Sequence, residues 1–378
     1  SLQLGLDYRH LSARDAEAFF TVPVDPATPQ TLNANGYGRG AQTFGGAFAQ
    51  AKVSPLDALQ LTFSARWDAW RNSDQIHTLT GATGGASGDG ALPSTRKSAF
   101  HPGLGLHYDI NNDWSFRGGA YKAFRVPGFN NTTRSYGVGP TTVANPDLGP
   151  ETLTGWELGS DWRGDTATFG ATWFRYDLGH MIATYRIRSA QDAPRPVLDL
   201  CSTSATSPNL DNCGGSANYY SNDQDGRSQG LELNARWEPT PTLELGAWFT
   251  RTRTWLTAKA PAITTPLNVQ LVGMPKRTGS LDATWRPNGK LTLYAQALYI
   301  GPMYLDETTT PGTYYDQGGN LVWNASVRYA VNASLDLAAN VSNLFDRKYS
   351  ENAWAVTQPW SRTLASPRSI FVSARVRY

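Results

Sequence analysis

Apolar residues recur at every second position along most of this chain. Leu59, Leu61, Phe63, Ala65, Trp67 and Ala69 share one parity, and Gln60, Thr62, Ser64, Arg66 and Asp68 share the other. A period of two puts the two sets on opposite faces of a β-strand. The alternation returns at 104–110, 156–162, 231–237, 243–249, 291–299, 321–329, 335–341 and 370–378. The second parity carries Glu157, Asp161, Arg163, Glu232, Asn234, Arg236, Asp282, Arg286, Asn324 and Arg328, charges that a water-filled lumen accepts as readily as a solvated surface. The connections separate these two readings. Short turns fall at Ser54-Pro55, Asn111-Asn112, Gly164-Asp165, Pro239–Pro241, Pro287–Gly289 and Val331-Asn332, and they alternate with long segments near 13–37, 72–94, 125–151, 189–216, 257–273, 306–318 and 346–366. Tight turns at one end and long loops at the other are the asymmetry of an outer-membrane barrel. The pattern predicts an all-β, antiparallel transmembrane β-barrel with about fourteen strands, occupying 1–378 as one domain.

Composition supports the membrane reading. Among 378 residues there are 36 Gly, 13 Trp, 17 Tyr and 14 Phe, and only 17% are charged. The mean hydropathy is −0.42, and no apolar run reaches the length a membrane helix needs; a barrel wall hides its apolar residues at alternate positions and reads as polar on average. Trp67, Trp162, Trp237, Trp285, Tyr299 and Tyr329 cluster near predicted strand ends, where aromatic girdles meet the lipid headgroups. The net charge of +2 and the absence of a Lys/Arg run exclude a nucleic-acid partner. Ser1–His10 has neither a basic start nor an apolar core and opens directly in a strand pattern, so the expectation is a piece that lacks its natural start.

Candidate chemistry is sparse. Cys201 and Cys213 bracket a polar stretch, and the expectation is a disulfide in an oxidising compartment, ahead of free thiols or a metal site. His10, His77, His101, His107 and His180 are scattered, so no metal site or cofactor is expected. No nucleophile stands at usable spacing from a histidine, which argues against an enzyme. The run TGATGGASGDG lacks the ending of a phosphate loop and reads as a flexible connection. Glu151 and Glu157 are expected to pair with lumen arginines such as Arg163.

Five stretches go beyond a generic barrel. "YKAFRVPGF" (121–129) followed by "NPDLGPETLTGWELG" (145–159) resembles the paired signature of TonB-dependent receptors. "SQGLELNARWEP" (228–239), "VSNLFDRKYSE" (341–351) and the terminal "PRSIFVSARVRY" (367–378) resemble later motifs of the same family, in order. Pro127, Pro146 and Pro150 cannot donate to a ladder and so mark where strands end and resume. The resemblance implies a 22-stranded barrel of which this chain is the C-terminal part, with an N-terminal plug and the first strands outside it. It implies active uptake of a bulky nutrient, first of all a ferric siderophore, with cobalamin, haem or an oligosaccharide as alternatives. The implied partners are outer-membrane lipid, TonB through the missing N-terminal part, and the assembly machinery through the strand ending in Tyr378. A passive fourteen-stranded porin is the alternative of another class. Ligand contacts are expected from aromatics and arginines in the long loops: Arg125, Phe129, Arg134, Tyr136, Trp255, Tyr304, Tyr314, Tyr315, Trp354 and Trp360.

Overall fold

In the computed structural model, residues 1–20, 27–81, 91–136, 141–204, 206–259, 266–306, 314–353 and 362–377 are described. Fourteen strands follow one another as antiparallel neighbours in a single sheet. They are β1 (Leu2–Phe20), β2 (Leu32–Leu56), β3 (Leu59–Gly81), β4 (Thr95–Asp109), β5 (Trp114–Arg125), β7 (Glu151–Arg163), β8 (Ala167–Ile187), β9 (Ala217–Thr240), β10 (Leu243–Lys259), β11 (Arg277–Asn288), β12 (Leu291–Ile300), β15 (Asn320–Ala330), β16 (Leu335–Ser342) and β19 (Ser369–Val376). A fifteenth, β6 (Thr141–Val143), adds in parallel to the upper end of β9. Two short hairpins lie off the sheet in long connections: β13 (Met303–Asp306) with β14 (Tyr314–Gln317), and β17 (Ser350–Ala353) with β18 (Arg362–Leu364). Strands β1 and β19 stand at the two ends of the path, and the described residues show no pairing between them. The sheet is therefore open, whereas a complete fourteen-stranded porin would be closed.

Three of the short turns owe their tightness to asparagine. The Oδ1 of Asn111 accepts from the backbone N–H groups of Asp113 and Trp114, both at 2.9 Å. Asn288 and Asn332 do the same for the residues two and three positions on. Each side chain thus substitutes for a backbone turn bond and lets the chain reverse at once. The other ends are longer than the alternation alone predicts: β1 reaches Phe20, β3 reaches Gly81 and β8 covers 21 residues. At about 3.3 Å per residue β8 is roughly 70 Å long, about twice the length of tilted strand needed to cross the apolar band. The extra length stays in register beyond the bilayer, where polarity no longer alternates so regularly.

One face of the wall is apolar and outward. Leu6, Leu158, Leu281 and Trp237 all lie more than half exposed on it, the arrangement expected when lipid is the solvent. The inner face holds its charges in pairs. Arg66 meets Asp68 at 2.6 Å and Asp7 at 2.7 Å, Arg117 meets Asp161 at 2.7 Å, and Asp336 accepts from Arg328 and Arg377 at 3.0 and 2.8 Å. Glu244 pairs with both Arg236 and Arg286. Two expected pairings differ: Glu157 accepts from the hydroxyls of Tyr121 and Tyr176, each at 2.8 Å, and Glu151 pairs with Arg125 rather than Arg163. The register explains the first, because Tyr121 and Tyr176 both stand opposite Gly155, which leaves room for their rings to reach the neighbouring carboxylate.

Between β8 and β9 the chain forms a small core of its own. Pro194 starts the helix α2 (Arg195–Cys201), and Cys201 and Cys213 are joined by a disulfide with their Cα atoms 5.1 Å apart. Val197, Leu200, Leu210 and both cysteines pack with Ile187 and Ala217 from the strand ends and with Val143 of β6.

Candidate functional site

The segment that joins β5 to β7 folds inward. Pro127 is fully buried, and its carbonyl accepts from Gln42 Nε2 at 2.9 Å, across 85 residues of chain. A single helical turn, α1 (Phe129–Thr132), follows. It lies against β2 where two inward glycines remove the side chain that would hold it off: a methyl group on Gly40 would meet the Phe129 ring at 3.0 Å, and one on Gly38 would meet the Thr133 carbonyl at 3.3 Å. Further on, β6 joins the top of β9, Asn145 Nδ2 donates to the Tyr220 carbonyl at 2.8 Å, and Lys97 Nζ donates to the carbonyls of Asp147 and Leu148, each at 2.9 Å. The segment thus crosses the mouth of the wall from β1 and β2 to β9.

Its charged centre is Arg134. The guanidinium donates to Glu17, to Asp15 at 3.2 Å and to Asn130 at 2.7 Å, and sits 4.3 Å from the centre of the Tyr136 ring. The hydrogen bond from Arg134 holds the Glu17 carboxyl below its ordinary pKa, and the carboxylate in turn holds the guanidinium above its own. Tyr136 and Tyr220 share a hydrogen bond at 3.4 Å between hydroxyls, and burial pushes the Tyr220 phenol up, so it stays a neutral donor. Ser135 Oγ lies 3.4 Å from His77 Nδ1 and accepts from the Ala144 N–H at 2.9 Å. The arrangement is a floor of two phenols, one compensated arginine and several small hydroxyls. It offers hydrogen bonds and aromatic faces, while the arginine's charge is already answered.

The candidate residues divide into groups. Phe129, Arg134 and Tyr136 meet on this inward segment, and Arg125 stands at its start, exposed and paired with Glu151. Trp255 is elsewhere: it is buried, on the outward parity of β10, with Arg253 4.5 Å above its ring centre. Tyr304 in β13 lies under Lys276, whose Nζ is 4.6 Å from its ring centre. Tyr314 and Tyr315 belong to β14, and nothing further is described of their side chains. Trp354, Trp360 and the terminal Tyr378 lie outside the described residues. Reading the sequence passed over Asp15, Glu17, Gln42, His77 and Tyr220, which touch the inward segment from 58 or more residues away in sequence. The pair Tyr219-Tyr220 in the polar run after the second cysteine was the available signal. Among the described residues no cluster of His, Cys, Asp and Glu suits a metal ion.

Comparison with known proteins completes the picture. The family model for the TonB dependent receptor-like β-barrel matches residues 1–344. The ferric enterobactin receptor PirA of Pseudomonas aeruginosa is 24% identical over 266 residues, covering 65% of this chain and 32% of the relative. The ferric-pyoverdine M114 receptor PbuA of Pseudomonas sp. strain M114 is 22% identical over 378 residues, covering 99% of this chain and 40% of the relative. Among solved structures, the closed form of the ferric-catecholate import receptor Fiu from E. coli K12 superposes with a TM-score of 0.73 at 19% identity, over all of this chain and 52% of Fiu. The last likeness is one of fold. The chain spans less than half the length of the curated relatives it matches.

Proposed function

Because the chain belongs to the TonB-dependent receptors, barrel proteins of the Gram-negative outer membrane and not enzymes, we propose that it is the C-terminal part of a receptor that imports a ferric siderophore. The remaining strands and an N-terminal plug lie elsewhere in the protein, and the plug couples to TonB. The reading is supported by the inward segment, which carries the half-buried Tyr136 and Arg134 across the mouth of the wall with Tyr220 of β9 behind Tyr136; in this reading a bulky ligand arriving from outside meets Tyr136 first. It is supported by the relatives, whose names refer to ferric enterobactin and ferric pyoverdine. The flat aromatic rings at the edge of an octahedral ferric catecholate pack against phenol rings, and its oxygens accept from hydroxyl donors. The C-terminal strand serves recognition by the assembly machinery.

The test is binding to the intact receptor in detergent, measured by intrinsic tryptophan fluorescence against a ferric catecholate, a ferric hydroxamate, haem, cobalamin and a malto-oligosaccharide. Saturable binding of an iron chelate, weakened about tenfold by Tyr136→Ala, supports the proposal. Saturable binding of haem, cobalamin or sugar alone overturns it.

A further inference from the structure

The outer face of the wall changes character in one step between β8 and β11. Below the step the outward residues are apolar: Trp173, Leu231, Phe249 and Leu281 are each more than a third exposed. The next outward positions above them are Arg175, Gln229 and Arg251, and on β11 Gly279 and then Arg277; the register through this stretch has no bulge that would turn them inward. Arg253 follows Arg251 on the same parity, and Lys276 precedes Arg277. From Leu243 at the base of β10 to Arg251 is about 27 Å along the strand and roughly 21 Å along the membrane normal at the usual tilt, which is the top of the apolar band.

The charge balance on this face is uneven: Arg175 and Arg227, on the same outward parity, share Asp177 at 3.0 and 2.5 Å, whereas the cations at β10 and β11 have no such partner among the described residues. Arg66, Arg117, Arg236 and Arg328 on the inner face each meet a carboxylate. Arg251, Arg253, Lys276 and Arg277 meet none among the described residues. Their polar and ring contacts are neutral: Arg253 donates to the Asn268 carbonyl at 3.0 Å, and Lys276 donates to the Tyr304 hydroxyl at 3.2 Å. Arg251 and Arg277 stand directly opposite each other across β10 and β11, a like-charge pairing that costs free energy unless an anion answers it. Beside this pair lies a cleft of about 690 Å³ with Trp173 and Leu231 at its lower edge and Arg251, Arg253, Lys276 and Tyr304 around it. Its lower edge faces acyl chains and its upper part faces headgroups.

We propose that this cleft binds a phosphate-bearing lipid headgroup of the outer leaflet, with Arg251, Arg253 and Lys276 contacting phosphate oxygens, Arg277 adding its charge from opposite Arg251, and Trp173 and Leu231 contacting the first methylenes. A phosphate supplies the missing negative charge and accepts the forked donors of arginine. The site lies on the lipid-facing side of the wall, separate from the mouth where the nutrient enters, so its occupancy does not depend on which nutrient is carried.

The test uses the intact receptor in detergent, with bisphosphorylated lipid A as the probe and bound lipid counted by native mass spectrometry. Two further arms use the same lipid stripped of its phosphates and inorganic phosphate at millimolar concentration. The variant is Arg251→Gln/Arg253→Gln/Arg277→Gln, with nutrient binding at the mouth and circular dichroism as readouts of folding. Removing three cations from an anionic lipid interface is expected to weaken binding by on the order of a hundredfold, and stripping the phosphates is expected to do the same to the unaltered receptor. Retention of affinity within about threefold in a folded variant, or equal binding of the stripped lipid, overturns the proposal. Complete displacement of the lipid by inorganic phosphate also overturns it, because that outcome marks a free-anion site. If the variant does not fold, single substitutions at Arg251 and Arg277 read the same loss in smaller steps.

Discussion

Removing the disulfide should loosen more than its own loop. Cys201 and Cys213 are 12 residues apart, and for a closed loop of that size the chain-entropy relation gives roughly 9.5 cal/mol/K, or about 2.8 kcal/mol at 298 K. Both sulfurs are buried among Val197, Leu200 and Leu210, so Cys201→Ala/Cys213→Ala is the suitable perturbation; serine would bury hydroxyls without partners and add a cost of its own. The same core includes Val143 of β6, the strand that fixes the inward segment to β9. Hydrogen exchange of the intact receptor, followed by mass spectrometry, should therefore show two effects. Amides of residues 195–219 should open about a hundredfold more often, the factor that 2.8 kcal/mol sets, and those of 141–145 should follow part of the way. The wall from β10 to β12, which shares no residue with this core, should be unchanged. Exchange in 195–219 accelerated by less than about threefold would refute the entropic argument. Acceleration there with no change at 141–145 would refute the mechanical link between the two loops.

Arg134→Ala should release the inward segment from β1 at a cost of about 1 to 3 kcal/mol, because it leaves two partly buried carboxylates without their partner; proteolytic cleavage within 126–136 that fails to increase would contradict this. Since Arg134 holds Glu17 below its ordinary pKa of 4.5, this anchor is at full strength above that value and weakens as pH falls through the lowered one. Exchange protection of 130–136 should thus be flat from pH 7 to about 5 and fall in more acidic buffer, with Glu17→Gln abolishing the dependence. Leu158→Arg, on the lipid side of β7, should lower the receptor's stability to denaturant by about 2 to 4 kcal/mol, while a polar exchange at its inward neighbour Glu157 should cost less. Asp336→Ala leaves Arg328 and Arg377 facing each other at the base of β15 and β19, and an earlier unfolding transition for those strands by hydrogen exchange is the outcome expected.

The wall was legible in the sequence because bilayer and lumen impose opposite demands on successive residues. Leu231, Leu233, Ala235 and Trp237 had one solution, and the pairing with β10 realises it. Strand number and turn positions followed, since Asn111, Asn288 and Asn332 announce tight reversals. Strand tops were not legible. Above the bilayer, water lies on both sides, so residues such as Asp15, Glu17 and His77 lose the alternation that marks a strand, although their backbones stay paired. The site was half legible: the FRVP and NPDLGPE motifs located the segment, and Arg134 and Tyr136 fell within it. The segment's partners could not be found by spacing, because Glu17, Gln42 and Tyr220 come to Arg134, Pro127 and Tyr136 from strands far away in sequence. Arg251 and Arg253 were visible all along as the continuation of the Phe249 parity, but continuation past the lipid changes what the parity means.

The segment from Pro127 to Pro150 is, in engineering terms, a tie-rod. It is fastened to β1 and β2 at one end through Arg134 and Gln42 and to β9 at the other through β6 and Asn145. A rod fixed at both ends keeps the rim from breathing independently on its two sides. Under the proposed function, a ligand pressing on the rod at Tyr136 would load both fastenings at once, so that the rim would register an arriving molecule as tension before any strand within the bilayer had to move.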